Sequence, residues 1–170
     1  MRRRRIVERE DDAPMTMPKP TEAHRKLARF VGKWTIEETM HPSEWAPKGG
    51  RAQGRTEYHL GCDGFFLVCD YAQLRDGEET FRGHGVYGFD PKTNLYTMRW
   101  FDSMGHDPGE AATGTWDGDV LRFEHATSRG RARYTYTWRS DDEYAFRIEN
   151  SADGETWKSF LDSVYTRAGE

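Results

Sequence analysis

The chain reads as an all-β protein, an up-and-down antiparallel barrel of about ten strands with one short N-terminal helix laid across an end. Three observations point there. Turn clusters recur at roughly ten-residue spacing from Trp34 to the C-terminus, among them "GCDG", "RDGEE", "DPKTN", "DGD", "TSRGR" and "SADGE". The runs between them are rich in Thr, Tyr, Phe, Trp and Val and alternate in polarity. A helical period occurs once, before the first run, and does not return.

Taken in order, the first twelve residues, "MRRRRIVEREDD", place the run Arg2 to Arg5 shortly before Glu8, Glu10, Asp11 and Asp12. The charges cancel locally, which argues against a basic patch for nucleic acid or a membrane surface and for an unstructured tail over residues 1–20. Met15 and Met17 are alternative starts to Met1. The barrel domain is then expected over residues 21–170. It opens with "PTEAHRKLARFVGKW", where Thr21 can cap a helix, Glu22 sits at the positive end and Gly32 ends it. Ala23, Leu27, Phe30 and Val31 form its apolar stripe, and His24 is expected at the helix–barrel contact.

In the strands, parity separates a dry face from a wet one, because successive side chains point to opposite sides. Trp34, Ile36, Glu38 and Met40 share a face; so do Tyr96, Met98, Trp100 and Asp102. Leu121, Phe123 and His125 oppose Arg122 and Glu124; Tyr134, Tyr136 and Trp138 oppose Arg133, Thr135 and Thr137. One-sided burial over consecutive short strands fits a barrel with a wet outside and an inside filled by side chains or a ligand. Two packed sheets around a solid core would give the same alternation.

The run "RGHGVYGFDP" contains Gly83, Gly85 and Gly88 in the spacing G-x-G-x-x-G. A dinucleotide fingerprint needs a helix after the last glycine, but "FDPKTN" is a turn and "LYTMRWF" another strand. The glycines are expected instead to let the strand coil and neighbouring rings lie across bare backbone.

Composition bounds the rest. The chain has 170 residues and a net charge of −4, with both signs interleaved, so no extended polyanion is expected as a partner. Hydrophobic residues are 35% but aromatics 14%, so the core must be built from rings. Cys62 and Cys69 would stand about 23 Å apart on an extended segment, far beyond the limit of about 7 Å for a disulfide, and two free thiols are expected. With no apolar run of membrane-spanning length and no signal-peptide pattern, a cytoplasmic location and no membrane partner are expected.

The stretches "HRKLARFVGKW", "GFFLVCDY", "GVYGFDPKTNLYTMRWFDSMG", "GTWDGDVLRFE" and "SFLDSVYTR" together resemble a bacterial lipocalin-like family catalogued only as a domain of unknown function, number 1579 in that series. The resemblance spans about Thr21 to Arg167. It implies a calycin-type barrel of about ten antiparallel strands with a helix across one end, and no activity. More distantly, Gly32 and Trp34 resemble the G-x-W motif of nitrobindin-type haem-binding barrels, which also carry an iron-ligating His on a late strand. No His follows His125 here, so that resemblance reaches the barrel and not the haem site, and no cofactor is expected.

No established catalytic or metal-ligating constellation occurs. The informative signal is polar residues in phase with the dry face, since a carboxylate turned into an aromatic interior must be paired, hydrogen-bonded or raised in pKa. Trp34, Glu38, Trp100, Asp102, His125 and Tyr136 are therefore the candidate ligand contacts. His84 joins them if it, with Arg82 near one mouth, points inward; its strand gives no clear dry face. Asp102 has a competing role as a turn cap before "SMG", and His125 as a satisfied interior imidazole. His106 is expected in a loop, and His41 and His59 at surface or mouth positions. The leading expectation is a barrel that holds a mainly apolar or amphipathic small molecule. Alternatives are an enzyme pairing Asp102 or Glu38 with His125 or His84 as general acid and base, a haem-binding barrel, and a mouth or edge that forms a homodimer.

Overall fold

The computed structural model describes residues 16–44 and 46–169. Ten antiparallel strands close into a barrel in the order β1-β10-β9-β8-β7-β6-β5-β4-β3-β2, so each strand pairs with its neighbours in sequence and β1 (Gly32–Met40) seals against β10 (Lys158–Arg167). The others are β2 (Gly50–Gly61), β3 (Phe66–Arg75), β4 (Glu78–Asp90), β5 (Leu95–Asp102), β6 (Ala112–Asp117), β7 (Val120–Thr127), β8 (Gly130–Ser140) and β9 (Glu143–Ser151). Among the described residues no helix is long and apolar enough to cross a membrane. Most of the expected tail, residues 1–15, lies outside the described residues; residues 16–20 have no regular structure.

The two ends of the barrel are built differently. One carries the short turns 91–94, 118–119 and 141–142 together with the N-terminal helix, α1 (Glu22–Lys26), which tightens to a 3₁₀ turn over Leu27–Phe30. The backbone N–H of Thr21 donates to Nδ1 of His24 at 3.1 Å, and the His24 ring lies edge-on to Phe65 and Phe89. His24 is thus the helix–barrel contact that the sequence suggests. The stripe is corrected at one position. The 3₁₀ turn ends at Phe30, and Val31, already in extended backbone at φ −53 and ψ 133, leaves the helical face and is 38% exposed.

Gly32 then takes φ +124, a conformation that side-chain-bearing residues avoid, and turns the chain from helix into β1. Two residues on, the Trp34 indole N–H reaches back to the carbonyl of Phe30 at 2.8 Å. Arg167 stacks over the Trp34 ring and donates to the Val31 carbonyl at 2.7 Å, clamping the same corner. Phe30 plugs this end of the barrel, with its ring against Tyr58, Tyr136, Trp138 and Tyr144. This half of the interior is solid.

The expected inward faces are observed. Tyr96, Met98, Leu121, Phe123, Tyr136 and Trp138 are all buried, while Arg122, Thr137 and Arg139 face water. Cys62 is exposed and Cys69 buried, and both are free.

Candidate functional site

The opposite half of the barrel is hollow. A cavity of about 500 Å³ opens at the end where β1, β3, β5, β7 and β9 finish, within the range of small-molecule sites. Its floor is formed by Tyr58, Tyr87 and Tyr136: the Tyr87 and Tyr136 hydroxyls meet at 3.0 Å, and Tyr58 meets the hydroxyl of Tyr144, in the closed half beneath, at 3.2 Å. Burial pushes all four phenols up in pKa, so the floor is neutral and protonated across the physiological range. Tyr71, Trp100, Phe146 and Tyr165 form walls.

β4 explains how one wall is made. Gly83 and Gly85 face the interior with Phe81 and Tyr87, and Trp100 of β5 lies flat across them: a Cβ on Gly83 would fall inside the indole. The three-glycine run therefore serves ring packing. It also fixes the direction of His84, which does not point inward with Arg82 as the sequence allows. His84 is on the outer face, half exposed, with Nδ1 2.8 Å from an Asp70 carboxylate oxygen. With both bare glycines needed under the indole inside, parity sends the intervening imidazole out.

Glu38 is the polar centre of the cavity. Only 3% exposed, it accepts a hydrogen bond from the Tyr71 hydroxyl at 2.6 Å on one oxygen and from the Gln73 amide at 2.7 Å on the other. Burial, together with the adjacent Glu38 charge, drives the Tyr71 phenol far above its ordinary pKa, so Tyr71 remains the donor. Gln73 and Tyr71 escaped the sequence reading, although both follow Leu67 and Cys69 at two-residue spacing on the inward face of β3.

Asp102 sits at the rim. It lines the cavity, yet one carboxylate oxygen accepts the Met104 backbone N–H at 2.9 Å, so the turn-cap role is real. The rim is interrupted beside it. The β5–β6 ladder has three residue pairs, ending at Met98↔Ala112, and β6 meets β7 no farther up than Thr113↔Glu124. Trp100 and Asp102 thus stand on one side of the break and His125 on the other. His125 is half-buried and 3.4 Å from the hydroxyl of Tyr134, itself a cavity residue; burial lowers its pKa, favouring the neutral ring.

Of the seven residues singled out in sequence, Glu38, Trp100, Asp102 and Tyr136 come together around the cavity. His125 flanks it. Trp34 does not reach it: the indole is 1% exposed and belongs to the solid half. His84 is outside. The acid–base pairs that the enzyme alternative needs are not assembled in the interior; the imidazole–carboxylate pairs seen, His84 with Asp70 and His41 with Asp162, are on the outer wall and at the rim. Nor does the wall fit a histidine-ligated haem, since among the described residues no imidazole lines the cavity.

A closed ten-stranded antiparallel barrel, plugged by a helix at one end and hollow at the other, is an up-and-down barrel of lipocalin-like architecture. The chain belongs to the family described as Protein of unknown function (DUF1579), whose model matches residues 19–167. No curated protein matches it significantly. Among solved structures it is similar to Rv2717c from M. tuberculosis (TM-score 0.62, 15% identity, 88% of this chain and 99% of that one). It is also similar to the S-type phycobiliprotein lyase CPES from Guillardia theta (TM-score 0.65, 10% identity, 88% of this chain and 94% of that one). At these identities the likeness shows the shared fold.

Proposed function

We propose that this protein binds a mainly apolar small molecule in the open half of its barrel. The observation that carries the reading is the cavity of about 500 Å³ walled by aromatic rings, with few polar groups converging on it. A solid core of this size would have filled the space with side chains, as the closed half does. Rings supply contact area, and Glu38, Asp102 and the tyrosine hydroxyls orient what is bound.

The test is a titration with N-phenylnaphthylamine, a neutral apolar fluorophore, followed through energy transfer from tryptophan, Trp100 being the donor in the wall. Saturable one-to-one binding that weakens in Trp100→Ala is expected. Absence of saturable binding with this probe and with cationic and anionic probes of similar size would overturn the reading.

A further inference from the structure

We propose that the ligand carries a protonated amine, seated on Glu38 within the aromatic cage; the proposal rests on the small-molecule reading above and narrows it. The observations are the charge and chemistry of the lining. Among the described residues, the cavity wall contains two carboxylates, Glu38 and Asp102, and no Lys, Arg or His. At the mouth, the exposed Arg75, in phase with Tyr71 and Gln73 on β3, donates to the Met40 sulfur at 3.0 Å and lies close enough to Tyr71 to act on its phenol.

Glu38 is almost wholly removed from water, and both of its hydrogen bonds come from neutral donors. A carboxylate offers about four acceptor positions, so each oxygen keeps capacity after Tyr71 and Gln73 are served. Burying an anion is costly unless a counter-charge completes it. Among the described residues no cationic side chain lines the cavity, and the hydrogen bonds given for Glu38 come from Tyr71 and Gln73; a bound ammonium would supply the counter-charge. Aromatic faces, here those of Tyr71, Trp100 and Tyr165, attract organic cations as well as apolar surface. The arrangement suits a primary or secondary amine on an aromatic or aliphatic body. It disfavours an anion, which would meet two like charges in a medium of low dielectric.

Isothermal titration calorimetry near neutral pH with a matched series, naphthylethylamine, naphthylethanol and naphthylpropionate, tests this. The amine is expected to bind at least about tenfold more tightly than the alcohol, and the carboxylate most weakly. In Glu38→Gln the amine-to-alcohol ratio should collapse to about one. Equal affinity of amine and alcohol for the wild type, or an amine preference that survives Glu38→Gln, would overturn the inference and leave small-molecule binding standing. Failure of all three to bind would overturn both. The wild-type comparison decides the matter even if the variant does not fold.

Discussion

Trp34 and Trp100 both lie on the inward parity of their strands, yet one is structural and the other faces empty space. Trp34 begins β1 in the closed half, where Phe30, Trp138 and Tyr144 surround it and its N–H is satisfied by the backbone. Trp100 lies towards the far end of β5, on bare glycine backbone, with Tyr71 the nearest ring at 5.9 Å. A two-residue repeat sets which side of the wall a residue takes. Depth along the barrel axis then sets whether that side is packed or hollow, and the difference comes from what caps the end: a helix bearing Phe30 at one, loops at the other.

The sharpest way to break this comparison is to delete both indoles. Trp34→Ala removes a fully enclosed ring together with its hydrogen bond and its cation–π partner Arg167, and should cost about 3–5 kcal/mol in denaturant unfolding. Trp100→Ala should cost less, about 2 kcal/mol, because one side of the indole already faces the cavity. Its larger effect should be on probe binding. Equal losses in urea midpoint would mean that the two halves are packed alike. The larger figure is the ordinary cost of deleting a fully enclosed core ring; the cavity is the reason to lower it for Trp100.

Asp102→Asn is expected to cost under about 1 kcal/mol, since the amide oxygen can still accept the Met104 N–H. It should also weaken binding of amines more than of neutral probes. A stability loss exceeding that of Trp100→Ala would make Asp102 an anchor of the rim and remove it from the site.

The two thiols sharpen the same contrast without mutation. Cys69 lines the cavity floor, and burial pushes its pKa up to about 11, so at pH 8 only about one molecule in a thousand carries the reactive thiolate. Ellman's reagent should modify the exposed Cys62 promptly and Cys69 slowly, in two phases. A single fast phase for both would show the cavity to be open to bulky polar reagents.

How far the molecule was legible beforehand follows from the same geometry. Strand alternation and turn spacing gave the barrel, its inward faces and the in-phase polar groups Glu38 and Asp102, because those signals are local. His84 was not resolved because its strand offers two apolar sets, Phe81 with Tyr87 and His84 with Val86; the deciding fact is a ring on the neighbouring strand that needs Gly83 and Gly85 beneath it. Trp34 shares the inward parity of the cavity residues but not their depth, because depth depends on where a helix docks, which no two-residue repeat records. The partners of Glu38 were missed for a related reason: Tyr71 and Gln73 are 33 and 35 positions away in sequence and meet it only when β1, β2 and β3 are stacked.

The central claim, that the open half is where a ligand sits, is tested most directly by photo-crosslinking with benzophenone, a neutral apolar molecule that inserts readily beside methionine, followed by peptide mapping. Met40 and Met98 line the cavity, whereas Met17 and Met104 are 80% and 55% exposed on the outside. Saturable labelling at Met40 or Met98, displaced by N-phenylnaphthylamine, is the predicted result. Labelling confined to Met17 and Met104, undiminished by the competitor, would contradict it.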